Sequence, residues 1–257
     1  MYKILKYNTK KYDFLNEVED YLRKRSNNKI KNINDISKNF SYVQLSEVEN
    51  IFYDWFHTKK FSILYNNFVD EVFRPKFGDD LAYQVIPSIR IAFPNAKSVN
   101  FHNDNWYGHG KEIKNIWVPL TKVRESQSLA FLSKNDNDKL LSEFYKKEPP
   151  LTEIQNICEE KMIFAECDYG DLLLFPTKAL HGTTSNISGK IRISFDFRIC
   201  IDGDYGLKNK KFFKKIDNNK HVRNSSKTNL KINETLAFGY LNQHSISNNL
   251  LISQTIQ

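Results

Sequence analysis

The residues best able to do chemistry lie in Phe101 to His109, FHNDNWYGH, and in Leu180 to Ile199, LHGTTSNISGKIRISFDFRI. His102 and Asp104 are two positions apart, so on an extended segment both side chains leave the same face and can reach one metal ion. His181 can complete the set. Two imidazoles and one carboxylate on one side of a metal leave positions open, a donor set that suits a non-haem Fe(II) ion activating oxygen. Arg192 follows His181 by 11 positions, and its planar guanidinium can hold a dicarboxylate through two parallel hydrogen bonds. An H-x-D triplet by itself recurs on solvated loops and says little. Its weight here comes from order: the triplet follows a β-like run, His181 follows another, and Arg192 sits on a third.

Those runs must hold the candidates in place. Val85 to Phe93 alternates with period two, placing Val85, Pro87, Ile89, Ile91 and Phe93 on one face and Ser88, Arg90 and Ala92 on the other. Asn115 to Leu120 repeats the pattern, with Asn115 and Trp117 opposite Ile116, Val118 and Leu120. Leu129 to Leu132 and Leu172 to Phe175 read as short, fully buried strands. Ile191 to Ile199 is the clearest strand: Ile191, Ile193, Phe195, Phe197 and Ile199 alternate with Arg192, Ser194, Asp196 and Arg198. Several short strands with little helix among them indicate a sandwich or barrel.

Before Tyr83 the period is helical. Phe14, Val18, Tyr21 and Leu22 make one stripe, and Val48, Ile51, Phe52, Trp55 and Phe56 a stronger one behind a Ser46/Glu49 capping-box pattern. Phe61, Leu64, Tyr65, Phe68 and Val72 form a third that is expected to stop before Pro75. The task of these helices is to brace a sheet.

His102-Asn103-Asp104, the run Gly170 to Phe175 ahead of His181, and Arg192-Ile193-Ser194 together resemble the Fe(II)/2-oxoglutarate-dependent dioxygenase superfamily, in its phytanoyl-CoA dioxygenase-like and streptomycin-biosynthesis-protein-like branch. The resemblance extends from about Gln84 to Ile199. It implies an α+β chain with a mainly β core, a double-stranded β-helix (jelly roll, cupin-like) braced by the N-terminal helices. It also implies His102, Asp104 and His181 as the catalytic metal ligands, with Fe(II), 2-oxoglutarate and O2 as cofactor and co-substrates. Arg192 and Ser194 take the place of the family's R-x-S pair on the distal carboxylate of 2-oxoglutarate. Asn115 sits where the fold can turn it to the co-substrate, and Gln84 where it can face either ligand. Arg90, Tyr107, His109 and Arg198 are candidates for the substrate, and Asp196 and Arg198 can instead pair with each other. The implied reaction is hydroxylation of a C–H bond coupled to decarboxylation of 2-oxoglutarate to succinate. Related halogenases carry a small residue at the position of Asp104, so its carboxylate argues for hydroxylation. The chain departs from the phytanoyl-type pattern at Ser133-Lys134-Asn135, where many members have a glycine-serine-histidine turn.

A chain of 257 residues can bury a sizeable core. It reads as one domain: a helical part over 1–80, a β-helix core over 81–202 with an insertion at 135–166, and a basic extension over 203–257 that can serve as a lid or oligomer contact. The net charge of +8 is spread over scattered lysines. The run from Lys208 to Lys215, KNKKFFKK, is the one place where RNA or an anionic surface can be argued. Cys158, Cys167 and Cys200 form no C-x-x-C pair, and His57, His221 and His244 have no metal-ligand spacing. No signal-peptide core or membrane-length apolar run is present, so a cytoplasmic protein without a membrane partner is expected.

Three classes of function compete. The first is an oxygenase acting on a small polar metabolite or sugar-type substrate in secondary-metabolite or surface-polysaccharide assembly. The second is a redox-silent cupin-like metal or sugar binder, or an isomerase, and the third a basic RNA-binding protein. Arg192-x-Ser194 separates the first from the second, because a redox-silent cupin needs no dicarboxylate clamp.

Overall fold

The computed structural model describes residues 1–201 and 213–216. Its helices are α1 (Phe14–Arg25), α2 (Ile36–Asn39), α3 (Leu45–Phe56), α4 (Lys59–Phe77), α5 (Lys134–Lys147) and α6 (Leu151–Lys161). Its strands are β1 (Lys3–Lys6), β2 (Ala82–Gln84), β3 (Ser88–Ala92), β4 (Ile113–Pro119), β5 (Ala130–Phe131), β6 (Ile163–Phe164), β7 (Asp171–Pro176), β8 (His181–Gly182), β9 (Arg192–Cys200) and β10 (Phe213–Lys215). The larger sheet runs β1-β7-β4-β9-β2-β10, with β3 also paired to β9. A smaller sheet runs β6-β5-β8. All named pairings are antiparallel, and the two sheets form the jelly-roll core of an α+β chain.

Alternation along β9 and β4 decides what lies on each side. Ile193, Phe195, Phe197 and Ile199, with Ile116 and Val118, join one apolar cluster with the aromatic stripes of α1, α3 and α4. The opposite face looks toward the smaller sheet, where Trp117, Leu173 and Phe175 meet Phe131. Helix α5 covers the far side of the smaller sheet through Leu140, Leu141 and Phe144, packed with Ala130 and Trp106. No helix among the described residues is long and apolar enough to cross a membrane.

Several local expectations change. Lys3–Lys6 is a strand that pairs with β7, so the first 80 residues are not wholly helical. Ser46 does not cap α3; the box is formed by Ser41 and Gln44 one turn earlier, ahead of a helix that starts at Leu45. Helix α4 runs through Pro75 to Phe77 and ends at Gly78, whose φ of 84° closes it. Pro75 has no N–H to give the Glu71 carbonyl, so one hydrogen bond is lost in the last turn, and the helix stops two residues later. Of the run Val85 to Phe93 only Ser88–Ala92 is strand, β3; β2 has already ended at Gln84, and the gap between them includes Pro87, which has no N–H to give. Residues 135–166 hold α5 and α6 and also β6, a strand of the smaller sheet. Of the basic run at 208–215, only Phe213–Lys215 is described; His221, His244 and most of the 203–257 extension lie outside the described residues. The three cysteines are buried, and none forms a disulfide among the described residues.

Candidate metal centre

His102 and His181 are placed by backbone. The His102 N–H donates to the His181 carbonyl at 3.0 Å and the His181 N–H to the His102 carbonyl at 2.9 Å. This bridge sets the imidazoles side by side, with ring centroids 4.4 Å apart. The approach depends on Gly182: a Cβ there would lie 2.8 Å from the Cα of Phe101, so only glycine fits.

Asp104 arrives differently from the simple strand picture. His102 is in the bridge, Asn103 is extended (φ −119°, ψ 152°), and Asp104 opens a short 3-10 turn to Tyr107. Asn103 caps that turn by accepting the Trp106 N–H at 3.1 Å. The Asp104 N–H donates to the Thr177 carbonyl at 2.8 Å. One extended residue between the two suffices to bring both side chains to the same side. Asp104 Oδ1 stands 3.8 Å from His102 Nε2, and the three donor atoms of His102, Asp104 and His181 lie within 4.8 Å of one another.

The electrostatics leave these donors ready for a cation. His102 Nδ1 faces the Asn100 carbonyl at 2.8 Å and His181 Nδ1 the Ala179 carbonyl at 2.9 Å. A carbonyl only accepts, so each Nδ1 carries the proton and each Nε2 keeps its lone pair. Burial, reinforced by His181, pushes His102 down to about 4, and burial also lowers His181. Burial alone would raise the Asp104 carboxyl. The attraction of Arg198, with smaller help from the three neighbouring histidines, outweighs it and holds the group well below the usual carboxylate range. Two neutral imidazoles and an ionised carboxylate are the protonation states a divalent metal requires.

One wall of the cavity carries an unbalanced charge. Arg192 is 1 % exposed. Its Nε donates to the Gln127 carbonyl at 3.0 Å and its Nη1 to Ser194 Oγ at 2.9 Å, yet no carboxylate pairs with it among the described residues. Burial, then the like charge of Arg90, pushes its guanidinium down to about 10. A buried, unpaired cation is costly unless an anion joins it.

Arg90, His102, Asp104, Tyr107, His109, Asn115, His181, Arg192 and Arg198 all line one cavity of about 350 Å³. Ser194 does not reach its wall and sits behind Arg192. Gln84 is also outside the lining and accepts from Arg198 at 3.4 Å. Arg90 pairs with Asp196 at 2.6 Å, and Arg198 faces both Asp196, at 3.6 Å, and Asp104, at 3.2 Å. The amide N–H of Asn115 goes to Asp104. Tyr107 lies beside the first ligand, its ring 5.2 Å from that of His102. His57 sits away from the site at the end of α3, bonded to the Tyr53 carbonyl. The sequence reading missed Trp117 as a site residue. Its indole Nε1 is buried without a partner, and its ring lies 5.8 Å from the Arg192 guanidinium. Its position on the face of Asn115 was the signal.

A His-Asp-His donor set in a jelly roll, beside a buried arginine, is an arrangement that suits a metal-dependent oxygenase. Residues 13–194 match the family model of phytanoyl-CoA dioxygenase, and the chain belongs to that family. The family's cofactors are iron and 2-oxoglutarate, and the donor set and the unpaired Arg192 fit both. The streptomycin biosynthesis protein StrG of Streptomyces griseus is 26% identical over 129 residues, covering 49% of this chain and 50% of its own length. The chain therefore spans about half of that curated relative. Among solved structures, HygX of Streptomyces hygroscopicus with nickel and 2-oxoglutarate bound is similar at a TM-score of 0.48 and 8% identity, over 80% of this chain and 85% of that one. EctD from S. alaskensis in its apoform is similar at 0.47 and 13% identity, over 82% and 78%. Neither likeness is close enough to speak to function.

Proposed function

We propose that the protein is an Fe(II)- and 2-oxoglutarate-dependent oxygenase that hydroxylates a C–H bond of a small polar metabolite or sugar-type substrate, in secondary-metabolite or surface-polysaccharide assembly. The observation that carries this reading is Arg192: a buried guanidinium with no carboxylate partner among the described residues, in the same cavity as a His-Asp-His donor set. A redox-silent metal binder has no use for it. Bound iron and 2-oxoglutarate would supply the oxidising power for attack on a C–H bond, with succinate and CO2 as co-products.

The chain's own residues do the rest. His102, Asp104 and His181 would hold the metal, and Arg192, steadied by Ser194, would take the distal carboxylate. Phe131 and Phe175 flank His181, with ring centroids 5.9 and 4.8 Å away, and keep water from that side. Arg90, Tyr107 and His109 would meet the substrate, and a wall of such donors and acceptors suits a hydroxyl-rich molecule. The name of the relative StrG supports a place in secondary metabolism.

The test begins without oxygen. Adding 2-oxoglutarate to the Fe(II) protein should produce a weak visible charge-transfer band that His102→Ala or His181→Ala removes. Arg192→Ala should keep iron while raising the 2-oxoglutarate requirement roughly 10- to 100-fold, the worth of one charged hydrogen-bonded pair. A wild-type protein without the band would refute the reading. Succinate release, screened over sugars, nucleotide-sugars, amino acids and aminocyclitols, then identifies the substrate class.

A further inference from the structure

The carboxylate of Asp104 is gripped on both oxygens. Oδ2 accepts from Asn115 Nδ2 at 2.5 Å. Oδ1, the oxygen that faces His102 Nε2, accepts from Arg198 Nη2 at 3.2 Å. The two donors stand directly opposite each other on adjoining strands, Asn115 on β4 and Arg198 on β9. Directly opposed residues of an antiparallel pair share a face, so the register itself aims both at one carboxylate.

The surroundings of each donor leave it aimed at Asp104. Asn115 is 3% exposed, Asp104 is the one partner of its side chain among the described residues, and its Oδ1 is buried with none. Arg198 is steered toward Asp104 by Asp196 and Gln84, and Asp196 is in turn held by Arg90.

A carboxylate can bind a metal through one oxygen or through both. Binding through both would consume an extra position. With two imidazoles and a co-substrate held by two atoms, a six-coordinate metal would then have no position left. A short hydrogen bond on Oδ2 opposes that swing, because the amide N–H would have to be given up in a buried site.

We propose that Asn115 and Arg198 are positioning residues that fix Asp104 as a one-oxygen metal ligand and so preserve the open position that the reaction needs. This rests on the iron reading above, and it gives Asn115 a different task from contact with the co-substrate.

Nitric oxide reports on an open position without turnover. In anaerobic protein saturated with Fe(II) and 2-oxoglutarate, the wild type should show the visible band and, on adding nitric oxide, the paramagnetic resonance signal of an iron-nitrosyl adduct. Asn115→Leu, which deletes the donor at similar volume, should keep the band while the nitrosyl signal falls about tenfold. A merely structural role would weaken iron affinity but leave the signal at saturating iron unchanged, and that result overturns the proposal. If Asn115→Leu fails to fold, Asn115→Ala, which frees the same oxygen without adding bulk, decides by the same measure: a reduced signal supports the clamp and a full one overturns it. A wild-type protein without the band removes the iron reading itself, whereas an undiminished signal in the variants removes only the clamp.

Discussion

The first half of β9 buries both of its faces to the same degree with opposite chemistry, while Asp196 and Arg198 further along the polar face are only partly buried. Phe195 and Phe197 on one face and Arg192 and Ser194 on the other are each at most 1% exposed. The ring of Phe195 meets those of Phe14 at 5.1 Å, Phe56 at 6.2 Å and Phe61 at 6.4 Å. Arg192, one Cα–Cβ alternation away in direction, meets a carbonyl, a hydroxyl and an indole. The helices cover the first face with permanent apolar contact. The second borders the cavity that contains the His-Asp-His donor set. Burial alone therefore does not mark a core, and alternation along one strand separates residues packed under the helices from polar residues on the cavity side.

That separation predicts a clean split in variants. Phe195→Ala should have the largest effect on stability, about 3–5 kcal/mol, because it opens a cavity among rings that cannot all collapse into it. Denaturant unfolding should show the lowered midpoint, while the folded fraction still gives the visible band with Fe(II) and 2-oxoglutarate. Loss of the band in folded Phe195→Ala protein would mean that the two faces are coupled.

Gly182→Ala probes the boundary from the other side. The added methyl must displace Phe101 backbone beside the His102–His181 bridge, and overpacking of this kind costs about 1–3 kcal/mol. The displacement falls on the segment that carries His102, so iron affinity should drop along with the midpoint. A variant that loses stability and keeps wild-type iron affinity would show that the bridge is not what sets the two imidazoles.

Much of this arrangement was legible in the sequence because it is periodic. The alternation of Ile191 to Ile199 predicts both faces of β9, and the helical stripes ending in Phe56 and Val72 predict the helices that cover one of them. The order H-x-D, His, Arg predicts the residues that the fold brings to one cavity. What escaped depends on partners distant in sequence or on an exact start. Lys3–Lys6 has no alternating burial of its own and becomes a strand only because β7 offers an edge. The true helix cap at Ser41 and the false one at Ser46 differ by a few residues, less than local patterns resolve. The alternation places Asn115 on the cavity face, but that its amide goes to Asp104 follows from the pairing of β4 with β9, which no local pattern states.

The smallest expected effect concerns α5, which lies on the smaller sheet, away from both faces of β9. Ser133 caps this helix, accepting the Asp136 N–H at 3.1 Å, and Asn137 on its first turn accepts the Leu180 N–H at 2.7 Å, one residue before His181 of the donor set. Ser133→Ala should cost about 1 kcal/mol, the usual worth of such a cap. Because the Asn137 contact and the packing of Leu140 and Phe144 persist once the helix is formed, iron affinity should stay at the wild-type value. Asn137→Leu removes the contact itself and leaves the Leu180 N–H buried without an acceptor, so it should lower stability and iron affinity together. Equal iron affinities in the two variants would show that His181 is held by the bridge to His102 alone.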